Sequence, residues 1–132
     1  MIKVVICGTY RRDPVGLRRL FTELEACGIR ILAPLSISFM STKSAFVRAS
    51  TDENLDIATL EALHLRAMRE ADFIWLYAPG GYVGLSGSFE LGYATAKALP
   101  VVAFEAPLDE TIRTQVKIVT SVFDALSQLG FA

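Results

Sequence analysis

A chain of 132 residues and 14.4 kDa has the length of one domain. At that size it buries roughly two-thirds of its unfolded surface without disulfides or a structural metal. A hydrophobic content of 52% and a mean hydropathy of +0.42 exclude intrinsic disorder. Thirteen basic against 14 acidic side chains, net charge -1, exclude the basic surface that nonspecific nucleic-acid binding needs.

Residues 2–7 (IKVVIC) form a short apolar run ended by Gly8, the pattern of a buried strand and not of a secretory leader. Residues 10–13 are a polar loop, and Pro14 suits a first helical turn. Leu17, Leu20, Phe21 and Leu24 recur at helical spacing until Gly28 stops them. Residues 29–33 are a second strand. Residues 34–51, with Phe39, Met40, Phe46 and Arg48, are too long for a plain connection and predict a binding loop. Ser50 and Glu53 have capping-box spacing before a helix running to about Ala71. Its predicted inner face carries Ile57, Leu60, His64, Met68 and Ala71.

Residues 72–77 (DFIWLY) are a third strand, with Trp75 in the core. Residues 78–87 are a glycine-rich loop, and Ser86 or Ser88 is the expected cap of a helix over 89–98. Residues 100–105 are a fourth strand. A helical turn over 109–114, a fifth strand over 116–120 and a final helix over 123–129 complete the pattern. The longest uncharged run, residues 73–89, holds Pro79 and four glycines, so it is no membrane span. Cys7 and Cys27 read as buried thiols of a reducing, cytoplasmic compartment. With one histidine beside two cysteines, no zinc set and no metal is expected.

Strands alternating with helices predict an α/β fold: a doubly wound, Rossmann/flavodoxin-like sheet of five parallel strands with helices on both faces, as a single domain over residues 1–132. Ligands of such sheets bind beyond the carboxyl ends of the strands at the topological switch point. That directs attention to residues 8–13, 34–50 and 78–90.

Several familiar motifs fail there. Gly8 stands alone where a dinucleotide fingerprint needs three glycines, and a P-loop lysine is missing. Gly84-Leu85-Ser86-Gly87-Ser88 misses the serine-hydrolase elbow by one residue, and the histidine precedes it, against the order of that fold. A cysteine-phosphatase loop starting at Cys7 would need arginine where Asp13 stands. What remains is the run from Gly80 to Ala94. Its glycines allow close backbone approach, and the helix start offers N–H groups to an anion. Glu90, expected in the first turn of that helix, either complements the helix dipole or is a carboxylate nucleophile at the ligand edge.

Cys7-Gly8-Thr9-Tyr10-Arg11 after the first strand, Ala71-Asp72 opening the third, and above all Phe89-Glu90-Leu91-Gly92-Tyr93-Ala94 resemble the nucleoside 2-deoxyribosyltransferase-like family, which includes deoxynucleoside 5'-monophosphate N-glycosidases. The resemblance covers roughly residues 2–105. It implies the same doubly wound sheet and cleavage of an N-glycosidic bond through a glutamate nucleophile, a position that Glu90 occupies. Two positions depart from the family pattern. Gly84 stands where a polar residue precedes the glutamate by six, with Ser86 or Ser88 as substitutes. His64 stands where an aspartate precedes the strand-three aspartate by eight.

His64 lies about 12 Å up its helix from Asp72 at 1.5 Å per residue, toward the ligand edge. It is either a core histidine with one hydrogen bond or a proton donor to the departing base. Arg11 and Arg12 are either a solvated turn or a clamp for a 5'-phosphate. Tyr10 lines the pocket or packs on the second loop.

The expected function is cleavage or transfer at the N-glycosidic bond of a nucleoside or nucleoside 5'-monophosphate, with Glu90 and His64 catalytic. Gly8, Tyr10, Arg11, Arg12, Gly81, Gly84, Ser86 and Ser88 are expected to bind substrate, with no cofactor. The alternatives are a nucleotide-sensing module without turnover, or a phosphoribohydrolase of the cytokinin-activating type. Pro79-Gly80-Gly81-Tyr82 begins the motif of the latter and Val83 breaks its spacing. The expected partners are a small-molecule nucleoside or nucleotide and further copies of the chain, as dimer or tetramer, with no nucleic-acid polymer and no membrane. Apolar composition and the aromatic loop point to self-association.

Overall fold

Strand β1 (Lys3–Gly8) is the second strand of a five-stranded sheet, flanked by the edge strand β2 (Arg30–Ala33) on one side and the central strand β3 (Phe73–Tyr77) on the other. The computed structural model describes residues 1–35 and 56–132. Beyond β3 follow β4 (Val101–Ala103) and β5 (Lys117–Ile118), in the order β2-β1-β3-β4-β5 with every pair parallel. The chain winds outward from β1 in both directions, so the switch point lies between β1 and β3.

The two faces of the sheet carry separate cores, as a doubly wound sheet requires. Val4, Ile6, Phe73 and Trp75 meet Leu17, Leu20 and Leu24 of α1 (Pro14–Ala26) and Val122 and Leu126 of α5 (Val122–Gln128). Val5, Cys7, Ile74 and Leu76 meet Met68 of α2 (Ile57–Glu70) and Leu91 and Ala94 of α3 (Leu85–Ala96). Successive strand residues alternate between these two sets, which is why Cys7 faces α2 and α3 while Ile6 faces α1. A short helical turn, α4 (Glu110–Arg113), connects β4 to β5. None of the described helices is long and apolar enough to cross a membrane.

Local chemistry moves several predicted boundaries. The described start of α2 is Ile57, where Asp56 accepts a hydrogen bond from the Thr59 amide at 2.7 Å. The capping-box pair Ser50 and Glu53, the loop aromatics Phe39 and Phe46, and Arg48 lie outside the described residues. Helix α3 begins at Leu85, earlier than predicted. Its cap is Gly84, with extended backbone, and the first helical bond runs from the Ser88 amide to the Gly84 carbonyl at 2.9 Å. Neither serine caps it; the Ser88 hydroxyl donates to the same carbonyl. Glu90 therefore sits in the second turn, beyond the first-turn N–H groups that would favour a carboxylate most. Two burial expectations also fail. Cys27 is exposed, because it occupies the outward turn that ends α1, and Ile57 is half exposed at the open end of α2.

Two glycines let β1 reach the start of α3. A Cβ on Gly8, which has φ +123°, would overlap the Tyr77 carbonyl, and a Cβ on Gly87 would lie 3.3 Å from the Gly8 Cα. This close approach sets the inner face of α3 directly over the end of β1.

Candidate functional site

A cavity of about 520 Å³ opens at this switch point, within the size range of small-molecule sites. Residues 8–11 after β1 form one wall and residues 32–35 at the end of β2 another. Helix α2 contributes Leu60, Glu61 and His64, and the start of α3 contributes Ser86, Gly87 and Glu90. Because α2 runs back antiparallel to β3, its N-terminal half is the part at the ligand edge.

Glu90 lies at the base of the cavity. Its neighbours on the inner stripe of α3 are Gly87, Leu91 and Ala94, so an acid occupies an otherwise apolar face. It is the one buried charged side chain among the described residues, 6% exposed. His64 Nε2 lies 3.4 Å from Glu90 Oε1, and the same nitrogen lies 3.4 Å from Cys7 Sγ. One nitrogen cannot donate to the carboxylate and accept from the thiol with a single proton. The tautomer that suits an ionised Glu90 places the proton on Nε2 and directs it at Oε1. The thiol then has the Met68 thioether, 3.9 Å away, as its acceptor.

The second acid of the site is Glu61, one turn before His64 on α2. Both of its carboxyl oxygens are buried and meet no hydrogen-bond donor among the described residues. Glu61 and Glu90 bond to one another only when one of them holds a proton. Burial first, and then the charge of Glu90, push Glu61 up to about 7, against a smaller opposing pull from His64. Burial lowers the basicity of His64. The hydrogen bond and charge of Glu90, with a further contribution from Glu61, overcome this and leave it above 6.5. Burial raises the Cys7 thiol well above its ordinary value, and Glu90 adds to the effect. The Tyr10 phenol is raised for the same two reasons.

Of the other residues singled out in the sequence, Gly8, Tyr10, Arg11, Gly84 and Ser86 line the cavity. The Tyr10 hydroxyl donates to the Ile6 carbonyl, which pins the ring at the end of β1. Arg12 lies outside the lining. Its guanidinium stacks 3.9 Å over the ring of Tyr82, which does line the cavity. Gly81 is buried against the segment after β4, accepting from the Leu108 amide at 2.9 Å, and Ser88 serves its own helix. Asp72 lies at the opposite end of the sheet, where its carboxylate accepts from the Lys3 amide. Sequence reasoning missed two groups. Glu61 is one; the other is Thr9, whose buried hydroxyl has no partner among the described residues and whose position borders the cavity. The i, i+3 spacing of Glu61 and His64 was the available signal for Glu61. Buried polar atoms are almost always paired, so orphaned oxygens on a cavity wall mark where a ligand supplies the partner.

Among solved structures the chain is similar to a conserved protein from Enterococcus faecalis V583, with 17% identity, a TM-score of 0.65 and 98% of each chain covered. It is also similar to the CMP N-glycosidase BcmB of Clostridium botulinum, with 17% identity, a TM-score of 0.56, and 98% of this chain and 99% of that one covered. No protein-family model matches the sequence, and no curated protein matches it significantly. At this identity the likenesses establish a shared fold over the whole length.

Proposed function

We propose that the protein cleaves the N-glycosidic bond of a nucleoside or nucleoside 5'-monophosphate, with Glu90 as nucleophile. The observation that carries this reading is the carboxylate pair. Glu90 is ionisable and held in place by His64, while Glu61 keeps a proton close to neutral pH on the same cavity wall. A carboxyl that holds its proton beside a second acid in one pocket is the pairing that glycosidic cleavage uses. The shared fold with a CMP N-glycosidase supports the same chemistry.

In this mechanism a Glu90 oxygen attacks the anomeric carbon as the bond to the base breaks, through a transition state of oxocarbenium character. Glu61 gives its proton to the departing base, the role that the sequence had suggested for His64. The carboxylate left behind then takes a proton from the acceptor that releases the sugar: water in a hydrolase, a second free base in a transferase. His64 is a positioning residue, because its Nε2–H fixes the Glu90 rotamer. The orphaned Thr9 hydroxyl and the N–H groups at the start of α3 are left to bind the sugar or its phosphate.

The test is release of free base, followed by chromatography, from ribo- and deoxyribonucleosides and their 5'-monophosphates. Glu90→Gln is expected to fold normally and to lose at least ~10³-fold in turnover, since an amide is a poor nucleophile. Turnover near the wild-type rate in that variant overturns the mechanism. Ligand binding without any base release would favour the sensing module.

A further inference from the structure

We propose that Cys7, His64 and Glu90 form a binding site for a thiophilic divalent cation of the zinc type, and that its occupation shuts the glycosidic site off. Their ligand atoms all lie within 4.8 Å of one another. His64 Nε2 is 3.4 Å from Glu90 Oε1 and 3.4 Å from Cys7 Sγ. Tetrahedral zinc with ordinary bond lengths holds neighbouring nitrogen and oxygen ligands about 3.3–3.5 Å apart, and nitrogen and sulfur about 3.5–3.6 Å apart. Both edges to His64 Nε2 fall within a few tenths of an ångström of those of such a tetrahedron, and the third, between Cys7 Sγ and the Glu90 carboxylate, is at most 4.8 Å and closes to about 3.6 Å on the metal.

The donor set selects the cation. A thiol, an imidazole and a single carboxylate suit zinc and its cobalt surrogate, whereas magnesium and calcium require oxygen ligands. Rigid elements hold all three donors: Cys7 on β1, His64 on α2 and Glu90 on α3. The side chains of His64 and Glu90 are 14% and 9% exposed and border the cavity, which leaves the fourth position to water from that side. A cation here takes the place of the thiol proton, which leaves to the buffer, and binds the Nε2 lone pair once the ring's single proton has moved to Nδ1. It also takes the Glu90 lone pair that would attack sugar, so cation and substrate compete for one oxygen.

Cobalt(II) titration of chelator-treated protein tests the site without reference to turnover. A Cys27→Ser background removes the exposed thiol, the other cysteine of the chain. In that background a near-ultraviolet thiolate-to-cobalt charge-transfer band and visible bands of tetrahedral intensity are expected, both displaced by one equivalent of zinc. Adding Cys7→Ser is expected to abolish the charge-transfer band and to weaken zinc binding by at least ~10²-fold, since even the loss of an outer-shell partner costs 10- to 100-fold. Cys7→Ala, checked for native circular dichroism, guards against a specific effect of the serine hydroxyl. Absence of the band in the Cys27→Ser protein, or its persistence without Cys7, overturns the proposal. Base release measured against zinc gives a second readout, each variant being compared with its own zinc-free rate. If no base release is found at all, the cobalt spectrum still decides the metal site; if cleavage proceeds and no band forms, only the metal site falls.

Discussion

Replacing Glu61 by glutamine is expected to make the protein more stable at alkaline pH and to change little at acidic pH. The native carboxyl holds its proton up to about pH 7, whereas the unfolded one releases it near 4.5. Between those values the native state binds more protons than the unfolded state, so this group lowers stability as pH rises through the interval. The gap corresponds to a ceiling of about 3 kcal/mol. The carboxyl borders an open cavity, and screening by water reduces the expected effect to roughly 1–2 kcal/mol. Glutamine is neutral throughout, and its amide offers a donor where the protonated acid offers one. Urea unfolding of both proteins in chelator-treated buffer, at about pH 5 and about pH 8.5, measures the difference. His64, raised above 6.5 by Glu90, also loses stabilising charge as pH rises, so the wild-type slope is reduced in the variant and not abolished. Equal slopes for the two proteins, or a variant equally destabilised at both pH values, refute the assignment of a protonated Glu61.

A 5'-phosphate is expected to improve binding by about 1.5–3 kcal/mol over the matching nucleoside, the range for a charged hydrogen bond. Arg11→Ala should remove this preference and Arg12→Ala leave most of it, because Arg11 lines the cavity while Arg12 is stacked on Tyr82; equal calorimetric affinity of the wild type for nucleoside and monophosphate removes the claim. The protein is expected to be at least a dimer, since Leu63 of α2 and Leu85 of α3 are exposed at the cavity and Phe89 of α3 is exposed as well. Light scattering that returns a monomer mass of 14.4 kDa at micromolar concentration refutes this.

The fold was legible because its signals are local. Apolar runs such as residues 73–77, closed by glycine or proline, could hardly be anything but buried parallel strands, and the α1 stripe of Leu17, Leu20 and Leu24 packs as its spacing predicts. Glu90 was legible too, as an acid following a glycine-rich loop at the ligand edge. Helix starts were less so. Serine at 86 or 88 looked like a cap, yet Gly87 packs against Gly8 inside the first turn of α3, which begins at Leu85 with Gly84 as its cap. Glu61 was invisible for a different reason. Its spacing marks it as a neighbour of His64, but only the way α2 lies against α3 decides whether that flank of the helix meets solvent or a second acid. The convergence of Cys7 with His64 and Glu90 joins three elements far apart in the chain, so no spacing rule for metal ligands applies to it.

The presence of a thiol beside Glu90 raises the question of which group would attack the sugar in the proposed cleavage. A reactive cysteine needs a cationic or dipolar neighbour to hold its thiolate. Cys7 has the reverse: full burial and, beyond that, the negative charge of Glu90 and Glu61, all of which keep it protonated. The His64 nitrogen that would stabilise a thiolate lies equally close to Glu90, whose carboxylate competes for its proton. Cys7 also lies beneath the cavity and not along its lining, whereas Glu90 reaches the cavity surface. Within the proposed mechanism, both accessibility and charge favour the carboxylate over the thiol as the attacking group. The same facts explain why the thiol becomes a ligand only with a cation: a metal ion supplies the positive charge that the surrounding carboxylates deny it.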